Sequence, residues 1–446
     1  MGEAVAIRGG TVVTMDARRT VARRDLLVGP DGRIAALVEP GSPLPAERLI
    51  DAGGRVIVPG LVQAHLHLCQ TLFRGLGERL TLLDWLRQRI WPLEAAHTPA
   101  SLRASARLGI AELLLGGTTA ALDMGTVHHT DVLFEVAAET GLRYTGGKAM
   151  MDAGAGVPPG LLEATAVSVR ESDRLAARWH GAAGGRLRYA YCPRFLLSCT
   201  PTLLRAVAAR ARADGLLVHT HASEQRPEVE AVRQQFGAGN IRALADLGIA
   251  GPWAVLAHCV WPDPHEIDLL ARDRTHVAHC PSCNLKLGSG IAPVADYVAR
   301  GINVAIGADG AAANNRLDGW EELRLAGLLA GWRAGPAALS ARQLFELATL
   351  GGARALGLER EIGSLEPGKW ADLAIVDLRA PHALGPEDVY TQLVYSARAG
   401  DVRTVLVAGQ VLVEERRLTG LDLTDVLLDA EAQRAELLQR AGLNPA

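Results

Sequence analysis

The first part of the chain, from Val5 to Val58, consists of short β-prone runs separated by turns rich in Gly, Pro and Asp. Examples are AVAIRGGTVVTMD, RDLLVGPDGRIAALV and RVIVPG. None of these runs has the 3.6-residue period of an amphipathic helix. The pattern therefore predicts an antiparallel β segment.

After Pro59 the pattern changes to short apolar runs that alternate with longer segments of helical period. This alternation is typical of βα units and a parallel sheet. There are eight such runs: LVQAHLH, TTAALDM, RYTGGKAM, RLRYAYC, GLLVHTH, WAVLAHC, THVAHC and INVAIGAD. Eight parallel strands close a TIM barrel, so the predicted fold class is α/β with a (β/α)8 barrel. Helices are expected between the runs, at Ser101 to Leu115, Asp131 to Thr140, Pro201 to Ala213, His265 to Arg272 and Leu317 to Ala330.

The β pattern returns after the barrel, in GSLEPGKWADLAIVDL and VRTVLVAGQVLV, and the end of the chain has a helical pattern. Neither terminal β segment has enough strands to close a core alone, so we expect the two to pack together as one small β-sandwich. The predicted boundaries are 1–58 for the N-terminal half of the sandwich, 59–357 for the barrel, and 358–446 for the C-terminal half with a terminal helix. The long amphipathic segment from Cys69 to Ala96 is expected to cap the barrel mouth.

Composition narrows the class of partner. The formal net charge is −3, with no basic surface for nucleic acid and no acidic tail, which favours a small, uncharged ligand. Six cysteines in 446 residues do not form a disulfide scaffold. The N-terminus lacks a signal-peptide pattern and no apolar stretch is long enough to cross a bilayer, so we expect a cytoplasmic protein with no membrane partner.

Histidines recur at the carboxyl ends of the predicted strands, where barrel enzymes place their catalytic groups. These are His65, His67, His219, His221, His258 and His279. A lone histidine at a strand end is more often a satisfied structural residue, so the joint pattern carries the prediction. His65 and His67 are two residues apart on one strand, so both point into the barrel and can chelate one ion.

The second pair, His219 and His221, also shares a face, and His221 is the member closer to the mouth. Glu224 follows three residues later, as a general acid/base beside the metal or as a first-turn acid of the next helix. Asp309 ends the eighth run, where an unpaired carboxylate would be costly. With His65, His67 and His221 it completes a three-nitrogen, one-oxygen shell for one Zn²⁺, although Fe²⁺ and Mn²⁺ also suit such a shell.

Two other features bear on the metal. A two-metal barrel of this kind commonly has a carboxylated lysine at the end of strand four, where this chain has YCPRF, so one metal ion is expected. The C-x-x-C of Cys280 and Cys283 has no second pair at zinc-site spacing. Both residues are therefore interpreted as small buried thiols.

The motifs PGLVQAHLH, HTHASE, LAHC, HCPSCNLKLGSG and GADGAAANN occur in this order and resemble the amidohydrolase superfamily, in its deaminase and chlorohydrolase branch. GSLEPGKWADLAIVD is similar to the sandwich return of that branch, so the likeness extends over nearly the whole chain. The resemblance implies zinc on the four ligands named above, and a homo-oligomer, most simply a dimer. It also implies Glu224 and His258 as catalytic partners.

Within that branch the substrate signals divide between purine deaminases. HLHLCQ with Gln70, GKAMMD, and PRFLLSC with Arg194 and Phe195 resemble guanine deaminases, in which the matching side chains hold the purine. GADGAAANNRLD instead resembles deaminases of methylthioadenosine and S-adenosylhomocysteine, which usually have a histidine where Arg194 stands. DWLRQRIWPLEAAH and TVHHTD resemble the 5′-deoxyadenosine deaminase type. Gln70, Arg194, Phe195 and His279 are the predicted substrate contacts.

The resulting hypothesis is a hydrolytic purine deaminase, with an adenosine-type nucleoside favoured over guanine. Hydroxide attacks the ring carbon that carries the amine, while Glu224 protonates the ring nitrogen, Asp309 takes the proton of the water and His258 hydrogen-bonds the attacking oxygen. The alternatives are a ring hydrolase of the s-triazine or aminopterin type and a non-catalytic scaffold. The scaffold is disfavoured because every expected ligand is present, and a dihydropyrimidinase-like amidase because the bridging lysine is missing.

Overall fold

The computed structural model describes residues 2–385 and 388–443. Its largest sheet is parallel and contains all eight predicted runs, in chain order around a barrel. The strands are Leu61–His67, Thr118–Met124, Arg143–Gly147 with Ala149–Met150, Leu187–Pro193, Leu217–Ala222, Ala254–His258, His276–His279, and Val304–Ile306 with Asp309–Gly310. The (β/α)8 prediction is confirmed.

The eighth strand closes the barrel in two pieces. Val304–Ile306 pairs with strand seven, and Asp309–Gly310 pairs with strand one, with Asp309 opposite Leu66 and Gly310 opposite His67. Between the pieces, the backbone N–H of Ala308 donates to the Gln63 side chain at 3.0 Å. The closure therefore carries Asp309 to the same end of the barrel as the histidines of strand one.

All five predicted helices are present, each with bounds within about four residues of the prediction, and further helices lie between and after the strands. The longer ones, of seven residues or more, are Pro99–Leu115, Asp131–Thr140, Thr165–Trp179, Pro201–Asp214, Arg226–Phe236, Asn240–Asp246, Pro264–Asp273, Gly319–Ala334, Val389–Tyr395 and Leu423–Arg440. Shorter helices are Pro281–Lys286, Val294–Ala299, Ala311–Asn314, Ala341–Glu346 and Gly352–Ala355. Asp131–Thr140 and Pro201–Asp214 both end at a glycine in the left-handed conformation, as expected at helix C-termini.

The two terminal segments form the expected sandwich. One sheet comprises Val5–Arg8, Asp25–Val28, Ile34–Val38 and Arg48–Asp51. The other mixes both ends of the chain: Thr11–Val13, Val21–Arg23, Val56–Pro59, Leu373–Val376, Val402–Val407, Gln410–Glu414 and Arg417–Leu418. Buried side chains from both sheets, including Ile7, Leu26, Ile57 and Leu373, form one core. Residues 1, 386–387 and 444–446 of the predicted outer units lie outside the described residues.

A buried ion pair joins sandwich and barrel. Arg143 of strand three donates to both carboxylate oxygens of Asp372, through Nε at 2.7 Å and Nη2 at 3.0 Å, and both side chains are 1% exposed. Asp372 also accepts from the backbone N–H of Ala408 at 2.7 Å. The terminal helix packs on barrel helix Pro99–Leu115, and its Arg434 donates to the carbonyl of Leu72. It thereby buttresses the segment that follows strand one.

That segment covers the barrel mouth, as its amphipathic pattern suggested. It contains a 3-10 turn over Leu68–Phe73, a helical turn over Leu82–Trp85, a π-helical turn over Leu86–Ile90, and a helix over Trp91–Ala95. We call residues 68–96 the lid. Hydrogen bonds hold it across the mouth: the N–H of Leu82 donates to Gln225 at 3.2 Å, and Lys286 contacts Glu78 at 2.7 Å. Within the described residues, no helix has the length and apolarity needed to span a bilayer.

Candidate metal centre and active site

Four side chains converge at the carboxyl ends of three barrel strands: His65 and His67 from strand one, His221 from strand five and Asp309 from strand eight. One ligand atom of each lies within 4.8 Å of all the others. Asp309 Oδ1 is 3.1 Å from His65 Nε2 and 3.3 Å from His67 Nε2. The two Nε2 atoms of His67 and His221 are 3.2 Å apart. The structure thus brings together the four residues predicted as metal ligands, and we call them the ligand group.

The hydrogen bonds on the far side of two of these rings fix their tautomers. His67 Nδ1 lies 2.9 Å from the carbonyl oxygen of Met124, and His221 Nδ1 lies 2.7 Å from that of Arg194. Because a carbonyl only accepts, each Nδ1 must carry the proton and donate it. The Nε2 atoms, which face the centre of the group, are therefore bare lone pairs in the neutral rings.

The third ring reaches the same state through a relay. His219 Nδ1 lies 3.1 Å from the carbonyl oxygen of Val255, so it donates, and its Nε2 is free to accept. His65 Nδ1 lies 2.7 Å from that Nε2 and donates to it. His65 Nε2 is thereby left bare and faces Asp309. Sequence reasoning separated His219 from the ligands but gave it no role, and the structure assigns it to orienting His65.

Electrostatics show that this group fits a cation. Burial lowers the pKa of His65, lowers that of His67 to about 3, and lowers that of His221 well below its usual value, so the rings are neutral. Three bare imidazole nitrogens and one carboxylate then face one another without a proton between them, which is unfavourable unless a positive ion lies among them. Three nitrogens and one oxygen are a normal shell for catalytic zinc.

The orienting role of His219 gives a prediction. The His219→Phe variant keeps a flat, buried ring but removes the acceptor for His65 Nδ1–H, so metal affinity should fall by about 10- to 100-fold, the usual cost of losing such a partner. Competition with a chromophoric chelator measures this. His219→Gln, whose amide oxygen can still accept, should retain more affinity than His219→Phe. Equal affinity in His219→Phe and the unmodified protein would show that His219 does not orient His65.

Glu224 faces the cavity and does not act as a helix cap. The next helix begins at Arg226, and its first-turn acid is Glu228. One Glu224 oxygen accepts from Ser289 Oγ at 3.3 Å, and the other lies 3.6 Å from His258 Nε2. Burial raises the pKa of Glu224, which favours a carboxyl that holds a proton. This placement suits a general acid/base better than the alternative, a first-turn acid of the next helix.

His258 is held by a residue that sequence reasoning missed. Its Nδ1 lies 2.9 Å from the side-chain oxygen of Asn284, to which it donates. Its Nε2 is therefore an acceptor directed at the cavity. Asn284 belongs to the segment HCPSCN, and its position five residues after the strand-end His279 is the signal that could have identified it.

Backbone strain marks the same positions. His258 has φ of 73° and Asp309 has φ of 59°, in the left-handed region that residues other than glycine rarely adopt. Ser223, just before Glu224, has φ of 51°. Such strain costs about 1–3 kcal/mol per residue and clusters at functional sites, because the surrounding structure must hold it in place. The strained residues therefore support the view that these strand ends form the active site.

A cavity of about 450 Å³, counted with its opening to solvent, lies between the ligand group and the lid. This is within the usual range for a small-molecule site. The lid contributes Leu82, Trp85 and Leu86 to its wall. The lid also contributes Gln70, and the barrel contributes the remaining lining residues His67, Arg194, Phe195, His221, Glu224, Glu228, His258 and Asp309. Three predicted substrate contacts, Gln70, Arg194 and Phe195, therefore line the cavity.

Arg194, one of the predicted substrate contacts, has its charge paired within the protein. Its guanidinium is paired with Glu94 of the lid, through Nη1 to one carboxylate oxygen and through Nη2 to the other at 3.1 Å. Gln70 Nε2 donates to the same carboxylate at 3.0 Å. The guanidinium is paired because Glu94 would otherwise be an unpaired buried charge. Glu94 was missed, although a single acid in the otherwise apolar WPLEAA was a usable signal.

The structure does not bring His279 to the cavity. Its imidazole is buried at the end of strand seven, outside the lining residues, and burial lowers its pKa to about 3. Its carbonyl accepts from the N–H of Gly307 at 3.0 Å. Its Nδ1 has no hydrogen-bond partner among the described residues, and its role as a substrate contact stays a prediction.

A TIM barrel with a three-histidine, one-aspartate group and a buried carboxyl beside it defines a class: barrel hydrolases whose site suits metal activation of water. A model described as "Amidohydrolase family" matches residues 56–412. The chain belongs to the amidohydrolase family. This confirms the resemblance noted from the motifs and the prediction of a hydrolytic enzyme.

Two curated relatives are similar over nearly the full length. The chain is 40% identical over 400 residues to the 5-methylthioadenosine/S-adenosylhomocysteine deaminase of Moorella thermoacetica, with 90% of each chain covered. It is 40% identical over 416 residues to the 5′-deoxyadenosine deaminase of Methanothermobacter thermautotrophicus, covering 93% of this chain and 95% of that one. Both relatives have the adenosine-type names that the motifs favoured.

Solved structures that are similar to this chain include two deaminases and a chlorohydrolase. The zinc-bound adenosine deaminase of Xanthomonas campestris superposes with a TM-score of 0.90 at 31% identity, with 98% of each chain covered. The zinc complex of an atrazine chlorohydrolase from Arthrobacter aurescens gives 0.90 at 29% identity, covering 96% of this chain and all of that one. Escherichia coli guanine deaminase gives 0.82 at 30% identity, covering 93% of this chain and 100% of that one. The neighbours thus include the alternatives raised by the motifs.

Proposed function

We propose that the protein is a zinc-dependent hydrolytic deaminase of an adenosine-type nucleoside, with 5′-deoxyadenosine, methylthioadenosine or S-adenosylhomocysteine as substrate and ammonia as product. One observation carries the proposal: the ligand group shares a lidded cavity with a buried carboxyl, Glu224, that can carry a proton. Zinc is chosen because the shell suits it and because similar solved structures contain it.

The chemistry follows from where the side chains lie. Zinc held by the ligand group would supply water of lowered pKa, about 7 in sites of this kind. Glu224, protonated because of its burial, delivers a proton to the ring nitrogen next to the carbon under attack. Asp309 lines the same cavity and takes up the proton of the attacking water. Asp309 then passes this proton to the amine, which leaves as ammonia, and Glu224 is protonated again by the next water.

His258 has a narrower role. Its Nδ1–H is committed to Asn284, so Nε2 can only accept while the ring is neutral. It therefore receives a hydrogen bond from the attacking oxygen and orients it. Trp85 and Leu86 of the lid and Phe195 of the barrel form an apolar wall over the cavity. This wall keeps bulk water away from the proton transfers.

The choice of adenosine over guanine rests on two arguments. The two curated relatives have adenosine-type names. In addition, Arg194, one of the purine contacts in the guanine interpretation, has its guanidinium paired with Glu94. Gln70, whose side-chain oxygen has no hydrogen-bond partner among the described residues, and Phe195 remain as contacts for the heterocycle.

A substrate panel tests the proposal. The zinc-loaded protein is assayed for ammonia release from 5′-deoxyadenosine, methylthioadenosine, S-adenosylhomocysteine, adenosine, guanine and a set of amino- and chloro-s-triazines. We expect the highest kcat/KM among the adenosine-type nucleosides. Guanine as the best substrate, or chloride release from a triazine without ammonia release from any nucleoside, would overturn the assignment. The dimer and the cytoplasmic location stay predictions.

A further inference from the structure

A second cluster of ligand-type side chains borders the cavity beside the ligand group. It consists of Glu224, His258 and Cys283, and one oxygen, nitrogen or sulfur atom of each lies within 4.8 Å of the other two. All three residues are buried. The proposed deamination uses Glu224 and His258 but leaves Cys283 without a role.

The donor atoms of this cluster lie close to one another, and the nitrogen among them has no hydrogen-bond partner within the described residues. His258 Nε2 has no hydrogen-bond partner within the described part of the chain, because the proton of the ring is on Nδ1. It lies 3.6 Å from one Glu224 oxygen, while Ser289 occupies the other. A buried imidazole nitrogen without a hydrogen-bond partner is unfavourable alone, and a cation bound by it and by the ionised form of Glu224 would satisfy both groups.

Cys283 supplies the third donor and sets the preference of the cluster. It is buried on the helix Pro281–Lys286, and its sulfur atom lies within 4.8 Å of the donor atoms of Glu224 and His258. Zinc bonds of about 2.0–2.3 Å to nitrogen, oxygen and sulfur would separate tetrahedral ligands by about 3.3–3.8 Å, which small side-chain rotations can reach. Sulfur selects soft ions such as Zn²⁺ and Cd²⁺. The ligand group has no sulfur, so the two clusters differ in softness.

We propose that Glu224, His258 and Cys283 form a second site, for an inhibitory thiophilic divalent cation. Binding forms metal–sulfur, metal–nitrogen and metal–oxygen bonds and releases the thiol proton of Cys283 and the carboxyl proton of Glu224 to solvent. This proton release and the three-residue donor set make the second site weaker than the ligand group. The inhibition rests on the proposed function, because an ion bound there would remove Glu224 and His258 from proton transfer and orientation.

Cadmium titration of the protein loaded with one equivalent of zinc tests the site. The near-ultraviolet thiolate-to-cadmium absorption reports cadmium bound by a cysteine and not by the ligand group, which contains no cysteine. Equilibrium dialysis gives the stoichiometry, and ammonia release gives the inhibition. We expect a second equivalent to bind, the absorption to appear and activity to fall together with occupancy.

The Cys283→Ser variant should lose the absorption and bind the second equivalent at least about 100-fold more weakly, since a direct ligand matters more than the second-sphere partners worth 10- to 100-fold. Its first equivalent of zinc should remain. Cys280→Ser is the matched control: Cys280 is buried on the same segment but outside the cluster, so this variant should behave as the unmodified protein. If Cys283→Ser fails to fold, Cys283→Ala serves the same purpose.

Two results would overturn the proposal: saturation at one equivalent in the unmodified protein, or an absorption that persists in Cys283→Ser. Failure of the deaminase assignment is distinguishable, because binding and absorption can be measured without any substrate. Binding without inhibition would keep the cation site and remove its inhibitory role.

Discussion

The Glu224→Gln variant is expected to keep its metal and to lose at least about 10²-fold in kcat, the low end of what a general acid/base contributes. The amide preserves the size of the side chain and the contact with Ser289 but cannot carry a proton. Glu224 lies outside the ligand group, so the metal content should not change. Steady-state ammonia release gives kcat, and elemental analysis of the purified variant gives the metal content.

Glu230→Gln provides the control, because it makes the same chemical change on the exposed face of the next helix. It should have unchanged kcat and metal content. A Glu224→Gln variant with kcat close to that of the Glu230→Gln control would show that another group carries the proton. Glu228 would then be the first to examine, since it lines the cavity and its burial raises its pKa to about 8.

The convergence of the metal ligands could be predicted because it depends on one topological rule. Carboxyl ends of parallel barrel strands meet at one face, so strand-end residues far apart in sequence become neighbours. His65, His221 and Asp309 illustrate this: their spacing along the chain carries no information, but their positions at the ends of apolar runs do. The barrel and the sandwich could also be predicted. Periodicity identifies the strands, and the number of strands indicates whether a segment can close a barrel or a core by itself.

The hydrogen bonds that support the ligands could not be predicted. The tautomers of His67 and His221 depend on the backbone carbonyl oxygens of Met124, at the end of strand two, and of Arg194, just after strand four, and a backbone carbonyl carries no side-chain signal. The pairing of Glu94 with Arg194 depends on how the lid folds back over the mouth, which periodicity does not determine. His279 ends a strand as the ligands do but lies outside the lining residues of the cavity, so its role as a substrate contact stays a prediction.

The lid and the ligand group are coupled through these unpredicted contacts. Glu94 holds Arg194, and the carbonyl of Arg194 accepts from His221 Nδ1. One residue thus contacts the lid with its side chain and His221 of the ligand group with its backbone. The lid and the ligand group therefore share a structural element, so changes at Glu94 should be assessed for metal content as well as for activity.

The His65→Ala variant is expected to lose its metal, with affinity falling by more than about 100-fold, since orienting partners alone contribute 10- to 100-fold. His65 is fully buried, and its Nε2 lies 3.1 Å from Asp309 Oδ1. A side chain at the protein surface therefore cannot reach this position to supply the missing nitrogen. Elemental analysis and chelator competition measure the loss. Because a bound ion stabilises only the folded state, a chelator should lower the Tm of the unmodified protein but leave that of His65→Ala unchanged.

His276→Ala controls for the removal of a buried imidazole from the barrel. His276 begins strand seven, at the end of the barrel opposite the ligand group, and its ring contacts the carbonyl of Pro252 and the side chain of Asn303. This variant should retain its metal and the effect of the chelator on Tm, even if its stability falls. Full metal occupancy in His65→Ala would remove His65 from the ligand group. Because His65 contacts both His219 and Asp309, that result would also require a different explanation for the relay through His219.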